Sequence, residues 1–385
     1  MIPYLFTFAL SSGLFELGSL FGGTRNGRRA TGLLFALAVV ALCVLAGARD
    51  VTIGTDTAGY GVFIYQQGLL SSTYEEFKQA LDASSWDVAP LFALGSFVVI
   101  KLFQSQFAYF FAIELAILIP VLLAARSMTR NHLGLVMLGY MLVFFIPGLN
   151  MMRQSIAMGI VLLGVLSTMS SHYIRAVAQL LAACLIHASA VVGFAFCLLW
   201  FAMFKKNDVG SGATYRKWFQ PIALLVTFGI MLGTIFFRQL TSALTNLEGV
   251  GRLFAYASHE GGIEYGTSSL LFLCLMIVGA FMIRTGIKGN SNISATFFCT
   301  LIAVSLPFFV LSGIDNTIAR MTSYCTMFIV PLIGTCVEDL RNTTLATYAG
   351  IAMLAASCCI RFFVCFAWQG FDAAIPYTST MLGIG

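Results

Sequence analysis

The chain has 385 residues, of which 59% are hydrophobic and 10% charged, with a mean hydropathy of +0.91 and a net charge of +5. A soluble domain holds about 45–50% apolar and about 25% charged residues, so a water-soluble fold, a disordered chain, a coiled coil and a disulfide scaffold are excluded. What remains is an all-α polytopic integral membrane protein, because the apolar residues come in unbroken runs rather than the alternation of a barrel strand.

A crossing needs about 20 apolar residues. In chain order the runs predict spans near 2–21, 30–48, 106–125, 133–149, 152–170, 173–188, 190–204, 219–237, 268–283, 293–312, 321–338 and 344–366. The expectation is therefore about 12 transmembrane helices, within a range of roughly 11–14. The stretch 173–204 is too long for one crossing and reads as a helical hairpin turning near His187. The stretch 88–103 is short and carries Lys101, so it is re-entrant, interfacial or a true crossing.

Cytoplasmic loops collect Lys and Arg. With the N-terminus outside and 88–103 not crossing, the cytoplasmic loops hold 13 of the 21 basic residues and the outer side holds 8: Arg49, Lys78, Lys101, Arg153, Arg238, Arg252, Arg320 and Arg361. A crossing at 88–103 would set the two halves of the chain at odds, so the non-crossing reading is preferred. Residues 1–385 then form a single transmembrane domain. Segment 49–105 is an outer loop, 49–88, followed by a re-entrant or interfacial helix. Residues 238–267 form a second outer loop, rich in glycine, with Arg252 and His259 as candidate lid residues. There is no visible internal repeat.

Several chemistries have no footprint. The 10 cysteines form no CxxC pair and show no zinc spacing, so they read as small buried hydrophobes. No metal-ligand spacing, Walker loop or dinucleotide fingerprint is present, and no basic tract suits nucleic acid. The first basic residue is Arg25, so a cleaved signal peptide is not expected.

Basic residues at outer helix ends oppose the topology rule, and within a membrane each costs about 2.5–3.5 kcal/mol on insertion scales. They are the informative residues. Arg49 opens Arg49-Asp50-Val51-Thr52-Ile53-Gly54-Thr55-Asp56, with Tyr60 beyond; Asp56 is placed to cap a helix at 57–69. Asn150, Arg153 and Gln154 have the spacing of one helical face. His187 lies with Ser189 in the hairpin, at the expected level of Arg49 and Arg153. Arg320 and Tyr324 are four residues apart, beside Asp315. Each has a simpler explanation: a snorkelling arginine, an interhelical clamp, a hydrogen-bonded core histidine, a local ion pair. Glu114 and Glu16 are intramembrane acids, with Glu16 expected near Arg25 and Arg28. His132 and His172 look solvated.

In this order, Arg49 to Tyr60, Arg153-Gln154 and His187-Ala188-Ser189-Ala190 resemble the EpsG-type, Wzy-like bacterial polysaccharide polymerases. The likeness covers roughly the first half of the chain and then thins to Arg320 and Tyr324. It implies a GT-C-like, metal-independent inverting glycosyltransferase of the bacterial cytoplasmic (inner) membrane, with no cofactor. Its substrates would be an undecaprenyl-pyrophosphate-linked glycan donor and acceptor at the outer face. It admits a chain-length regulator protein as a partner, and no nucleic acid.

The residues suit that chemistry. A pyrophosphate leaving group needs positive charge where negative charge develops, and the guanidinium fork binds phosphate oxygens bidentately. Arg49, Arg153 and Arg320 are the candidates. His187 or Asp56 would take the acceptor proton, and Tyr60, Asn150, Gln154 and Tyr324 would hydrogen-bond sugar or phosphate. A transporter or flippase for lipid-linked sugars competes, supported by Glu114, as does an O-antigen-type ligase.

Overall fold

In the computed structural model, which describes residues 1–21, 25–84, 86, 88–206, 213–215, 267–287, 290–312, 316–338 and 344–385, the apolar runs are helices. Lipid offers the backbone no partner, so each span closes its own hydrogen bonds. One end of the bundle, called upper, carries Asn150; the lower end carries Glu338.

Helix α1 (Ile2–Leu20) descends from Tyr4, whose hydroxyl donates to Ala374 O at 3.0 Å. Helix α2 (Arg25–Gly47) returns upward. A π-helical turn (Thr57–Gly61), α3 (Val62–Leu70), α4 (Tyr74–Asp82) and α5 (Pro90–Phe103) follow before α6 (Gln106–Met128) descends. Helix α7 (Leu133–Tyr140), a π-helical stretch (Met141–Phe145) and α8 (Ile146–Asn150) make one ascending rod, and α9 (Met152–Met169) descends from it. Helix α10 (Tyr173–Ile186) rises to His187, turns through a 3-10 segment (Ala188–Val191) and descends as α11 (Val192–Met203). A short antiparallel pair, β1 (Phe204–Lys206) with β2 (Ala213–Tyr215), closes the lower end there. Then α12 (Thr267–Gly286) descends, α13 (Asn290–Leu311) ascends, and α14 (Asn316–Thr326) with α15 (Ile329–Glu338) descends. Helix α16 (Leu345–Cys359) rises and widens into a π-helix over Ile360–Trp368. The segment 369–385 folds back across the upper end: Tyr377 donates to Leu45 O at 2.8 Å and Thr380 N to Asp50 at 2.8 Å.

Eight helices among the described residues are long and apolar enough to cross a membrane, and the chain is a multi-pass membrane protein. Helix α1, with 19 residues, and the shorter Pro90–Phe103, Tyr173–Ile186 and Ala188–Met203 supplement them. The expected span 219–237 and residues 238–266 of the expected loop, with Arg252 and His259, lie outside the described residues. Helix α5 starts against Tyr109 and Ile113 of α6, and its last turn meets α3, where Lys101 Nζ donates to Leu69 O at 3.3 Å.

Helices differ in depth. In Leu133–Asn150 and Met152–Met169, 83% and 72% of residues are buried, against 44% in Gln106–Met128, so the junction of the first two is the protein's centre. Three local expectations change. Asn150 and Arg153 do not share a helix: Met151 (φ −77°, ψ 48°) breaks the chain between α8 and α9, one turn after Pro147-Gly148. Asp56 precedes the π-turn but makes no side-chain cap bond. His132 is not free in solvent: Glu16 meets His132 Nδ1 at 2.9 Å and accepts from Gly134 N at 3.0 Å, tying α1 to α7.

Candidate active site

The upper ends of α8, α9, α10 and α14 converge on the turn that follows α2. That turn needs Gly54, whose φ of +89° suits a residue without a Cβ. A Cβ there would collide with Asn150 Oδ1. The same oxygen accepts from Asp56 N at 3.4 Å, and Tyr60 donates to Asn150 O at 3.1 Å. Asn150 thus pins the Gly54–Tyr60 segment against the helix break.

Arg153 and Gln154 emerge from the first turn of α9. The Arg153 guanidinium lies 5.1 Å from the Tyr60 ring centre, and the Trp86 ring packs against Tyr60 with centres 5.8 Å apart. Gln154 Nε2 donates to Arg320 O at 3.1 Å, fixing the start of α14 against α9. Ser189 Oγ donates to the Tyr324 hydroxyl at 3.1 Å, fixing the α10–α11 turn against the same helix. His187 sits in that turn, in extended backbone outside the eight spans, with Nε2 buried and lacking a protein partner. Gln154 Oε1 is likewise buried without one.

Electrostatics places the charged groups within reach of one another. Burial pushes the His187 imidazole down to about 4, with Arg153 and Arg320 adding to the effect. Burial raises Asp56, while Arg320 and Arg153 pull it down and Asp372 pushes it up. Asp56, Arg153, His187, Arg320 and Asp372, from five separate segments, therefore form one cluster of ionisable groups.

Arg49 is different. It is 4% exposed, and its guanidinium donates to Ala46 O at 2.6 Å, Leu149 O at 3.3 Å and Thr57 Oγ1 at 3.4 Å. It also stacks on Phe110 at 4.2 Å. It clamps the end of α2 to the helix break and does not face open space. Glu114 is 2% exposed and sits near enough to Arg49 for their charges to interact.

A cluster of guanidinium groups around a neutral imidazole and a half-buried carboxylate is equipped to hold a polyanion and accept a proton beside it. The family model described as the EpsG family matches residues 32–379. The chain belongs to the EpsG family. No curated protein and no solved structure matches it. EpsG proteins are associated with polysaccharide polymerase activity, a glycosyltransferase-like role, and this member is a multi-pass membrane protein of that family.

The EpsG match runs well past the first half of the chain, and the structure adds two later residues to the same end of the bundle. Asp372 stands in a strained turn (φ +67°), with its carbonyl accepting from Asn150 Nδ2 at 2.9 Å. Burial raises its carboxyl, opposed by Arg361 and by Asn150. Arg361 lies in the π-helical stretch. Both left a trace in the sequence: Arg361 is an outer arginine against the charge rule, and Asp372 follows Gly370 directly after an apolar run. Neither belongs to a recognisable motif.

Proposed function

We propose that this EpsG-family chain is a metal-independent, inverting, GT-C-like glycosyltransferase. It polymerises undecaprenyl-pyrophosphate-linked oligosaccharide repeat units on the outer face of the cytoplasmic membrane. The observation that carries this reading is the convergence of Arg153, Arg320, His187 and Asp56 on one end of the bundle from segments far apart in sequence.

The acceptor hydroxyl oxygen attacks the donor's anomeric carbon from the face opposite the leaving group. The new glycosidic bond forms as the carbon–oxygen bond to pyrophosphate breaks, and configuration inverts. The electron pair leaves with the pyrophosphate oxygen, where Arg153 and Arg320 meet the growing negative charge. The proton passes to His187 Nε2, the buried nitrogen without a protein partner. Asp56 is the second candidate for that role and otherwise grips the acceptor sugar. Tyr60 and Asn150 hold the Arg153 side of the site, and Gln154 with Tyr324 holds the Arg320 side. Arg49 acts through position, by fixing the turn that carries Asp56.

Purified protein supplied with a synthetic undecaprenyl-pyrophosphate repeat and a chelator is expected to produce a ladder of longer chains. Arg153→Ala is expected to fold, reach the membrane and lower that rate at least 100-fold, the scale of one lost transition-state contact. Normal ladders from this variant would refute the site. Translocation in liposomes without lengthening would establish the transporter reading, which rests on buried Glu114. Product only after addition of a separate lipid-core or protein acceptor would establish a ligase.

A further inference from the structure

A polymerase brings two lipid-pyrophosphate substrates to one point, and two such anions repel each other strongly if they share one cavity. The upper end of this bundle contains a second basic chamber, separated from the His187 site by a wall one helix thick. The first turn of α9 and the second turn of α14 form that wall. Arg153, Gln154 and Arg320 belong to the His187 side, while Met151, Ser155, Thr322 and Ser323 line the other side.

Arg361 supplies the chamber's charge. Its guanidinium is held over two rings, 4.6 Å from Phe366 and 5.4 Å from Phe272, so the fork is oriented before any ligand arrives. Among the described residues no carboxylate lies within 4.0 Å of it. Thr322 Oγ1 is buried without a hydrogen-bond partner. The free volume is about 50 Å³, room on the scale of two water molecules or one phosphoryl group and too small for a sugar ring. Two of the π-helical stretches, Met141–Phe145 and Ile360–Trp368, contribute Val143, Phe144 and Arg361 to its walls, and such widened helices recur at functional sites. An arginine inside a span is costly to keep without a use.

We propose that this chamber takes one phosphoryl group of the pyrophosphate of the second, acceptor lipid, through Arg361, Thr322 and Ser155, while Arg153 and Arg320 hold the donor's pyrophosphate. The inference rests on the polymerase reading and extends it. The acceptor's oligosaccharide arches over the wall so that its far hydroxyl reaches the donor. Asp372 and Asn150 bridge the two chambers: Asp372 feels the charge of Arg361, and Asn150 joins Asp372 O to Asp56 N.

The test is the stoichiometry of farnesyl pyrophosphate bound to the purified, detergent-solubilised protein, read by native mass spectrometry. Wild type is expected to bind two equivalents, Arg361→Gln one, Arg153→Gln one, and the double variant none. Arg361→Lys keeps the charge without the fork, so its second equivalent is expected to weaken about 10-fold. Thr322→Val, a small change at the same chamber, is expected to weaken that same equivalent and leave the other. Wild type binding a single equivalent, lost in Arg153→Gln and unchanged in Arg361→Gln, would overturn this inference and leave the polymerase reading intact. Wild type binding none would overturn both. Inorganic pyrophosphate that displaces the Arg361-dependent equivalent at matching concentration would mean that the chamber takes a free anion, which also overturns the acceptor-lipid assignment.

Discussion

His187 is placed to be a base by what surrounds it rather than by its own chemistry. Burial and two arginines hold its imidazole down at about 4, well below the ordinary 6.5. In the empty protein the neutral form therefore persists far into acid. The acid limb of kcat/KM, which reports the free enzyme, is expected near pH 4 rather than 6.5. A pyrophosphate seated between Arg153 and Arg320 cancels part of their field, so the acid limb of kcat is expected at higher pH than that of kcat/KM. Coincident limbs at 6.5 would exclude His187 as the titrating base. Stability follows the same sign. The folded protein binds this proton less tightly than the unfolded chain, so the contribution of His187 falls as pH drops from 6.5 towards 4 and is constant above 6.5. His187→Ala is expected to lower kcat by about 10²–10⁴, the usual worth of general base catalysis, and to flatten the acid limb.

Arg49 and Arg153 look alike in sequence, each a cation at an outer helix end, and the structure separates them. The sequence reveals that a guanidinium stands where lipid and topology disfavour it, but not which way the fork points. Arg49 spends its donors on Ala46 O, Leu149 O and Thr57 Oγ1. Arg49→Ala takes the side-chain donor from Ala46 O, a loss on the order of 1–3 kcal/mol, while Leu149 O keeps the Thr57 hydroxyl. It is expected to lower the melting temperature and the yield, whereas Arg153→Ala lowers turnover at unchanged melting temperature. A thermal shift assay beside the ladder assay distinguishes the two. Asp372 escaped the sequence reading, and Arg361 was counted as an outer arginine without a role, for the converse reason: they lie in no motif, and only the fold brings residue 372 to Asn150.

At the scale of elements, long apolar runs made the helices legible, while their breaks depended on close contacts that no periodicity encodes. Pro147-Gly148 does signal a discontinuity, yet the break itself falls at Met151, where α8 ends and α9 begins. The hairpin turn at His187 was legible because 173–204 is too long for one crossing. The turn at Gly54 is held by left-handed backbone and by the proximity of Asn150. Gly54→Ala carries a backbone cost of about 1–2 kcal/mol and displaces Asn150, so it is expected to reduce ladder formation more than Gly13→Ala, where a Cβ meets nothing. Helices α12 and α16 cross at Gly279 and Gly350, where a Cβ on either would lie 2.9 or 2.7 Å from the other's carbonyl oxygen. Small residues let backbones approach in lipid, so Gly350→Leu is expected to separate this pair and lower thermal stability.

For the whole molecule, composition alone excluded water-soluble architectures, and run length with charge counting supplied most of the span map. The sides of the membrane are a separate matter. All of the clustered site residues lie at the upper end, and Arg28, Arg29, Arg126, Arg130 and Arg175 lie at or near the lower end. The positive-inside rule predicts a cytoplasmic lower end and an outward-facing site. Single cysteines test this on a background in which the exposed Cys274 and Cys359 are serine. Ser72→Cys precedes α5 and Phe103→Cys ends it; Asn131→Cys and Ser170→Cys mark the lower end. In intact cells a membrane-impermeant maleimide is expected to label the first two and to reach the last two only after permeabilisation. Labelling of Ser72→Cys and Phe103→Cys from opposite sides would mean that α5 crosses. The connection from α2 to α6 would then include an extra span, and the charge count that orients the first half would reverse. Labelling of all four with the sides exchanged would turn Arg153, Arg320 and His187 towards the cytoplasm, where the proposed transfer would have to draw on lipid-linked units not yet moved across the membrane.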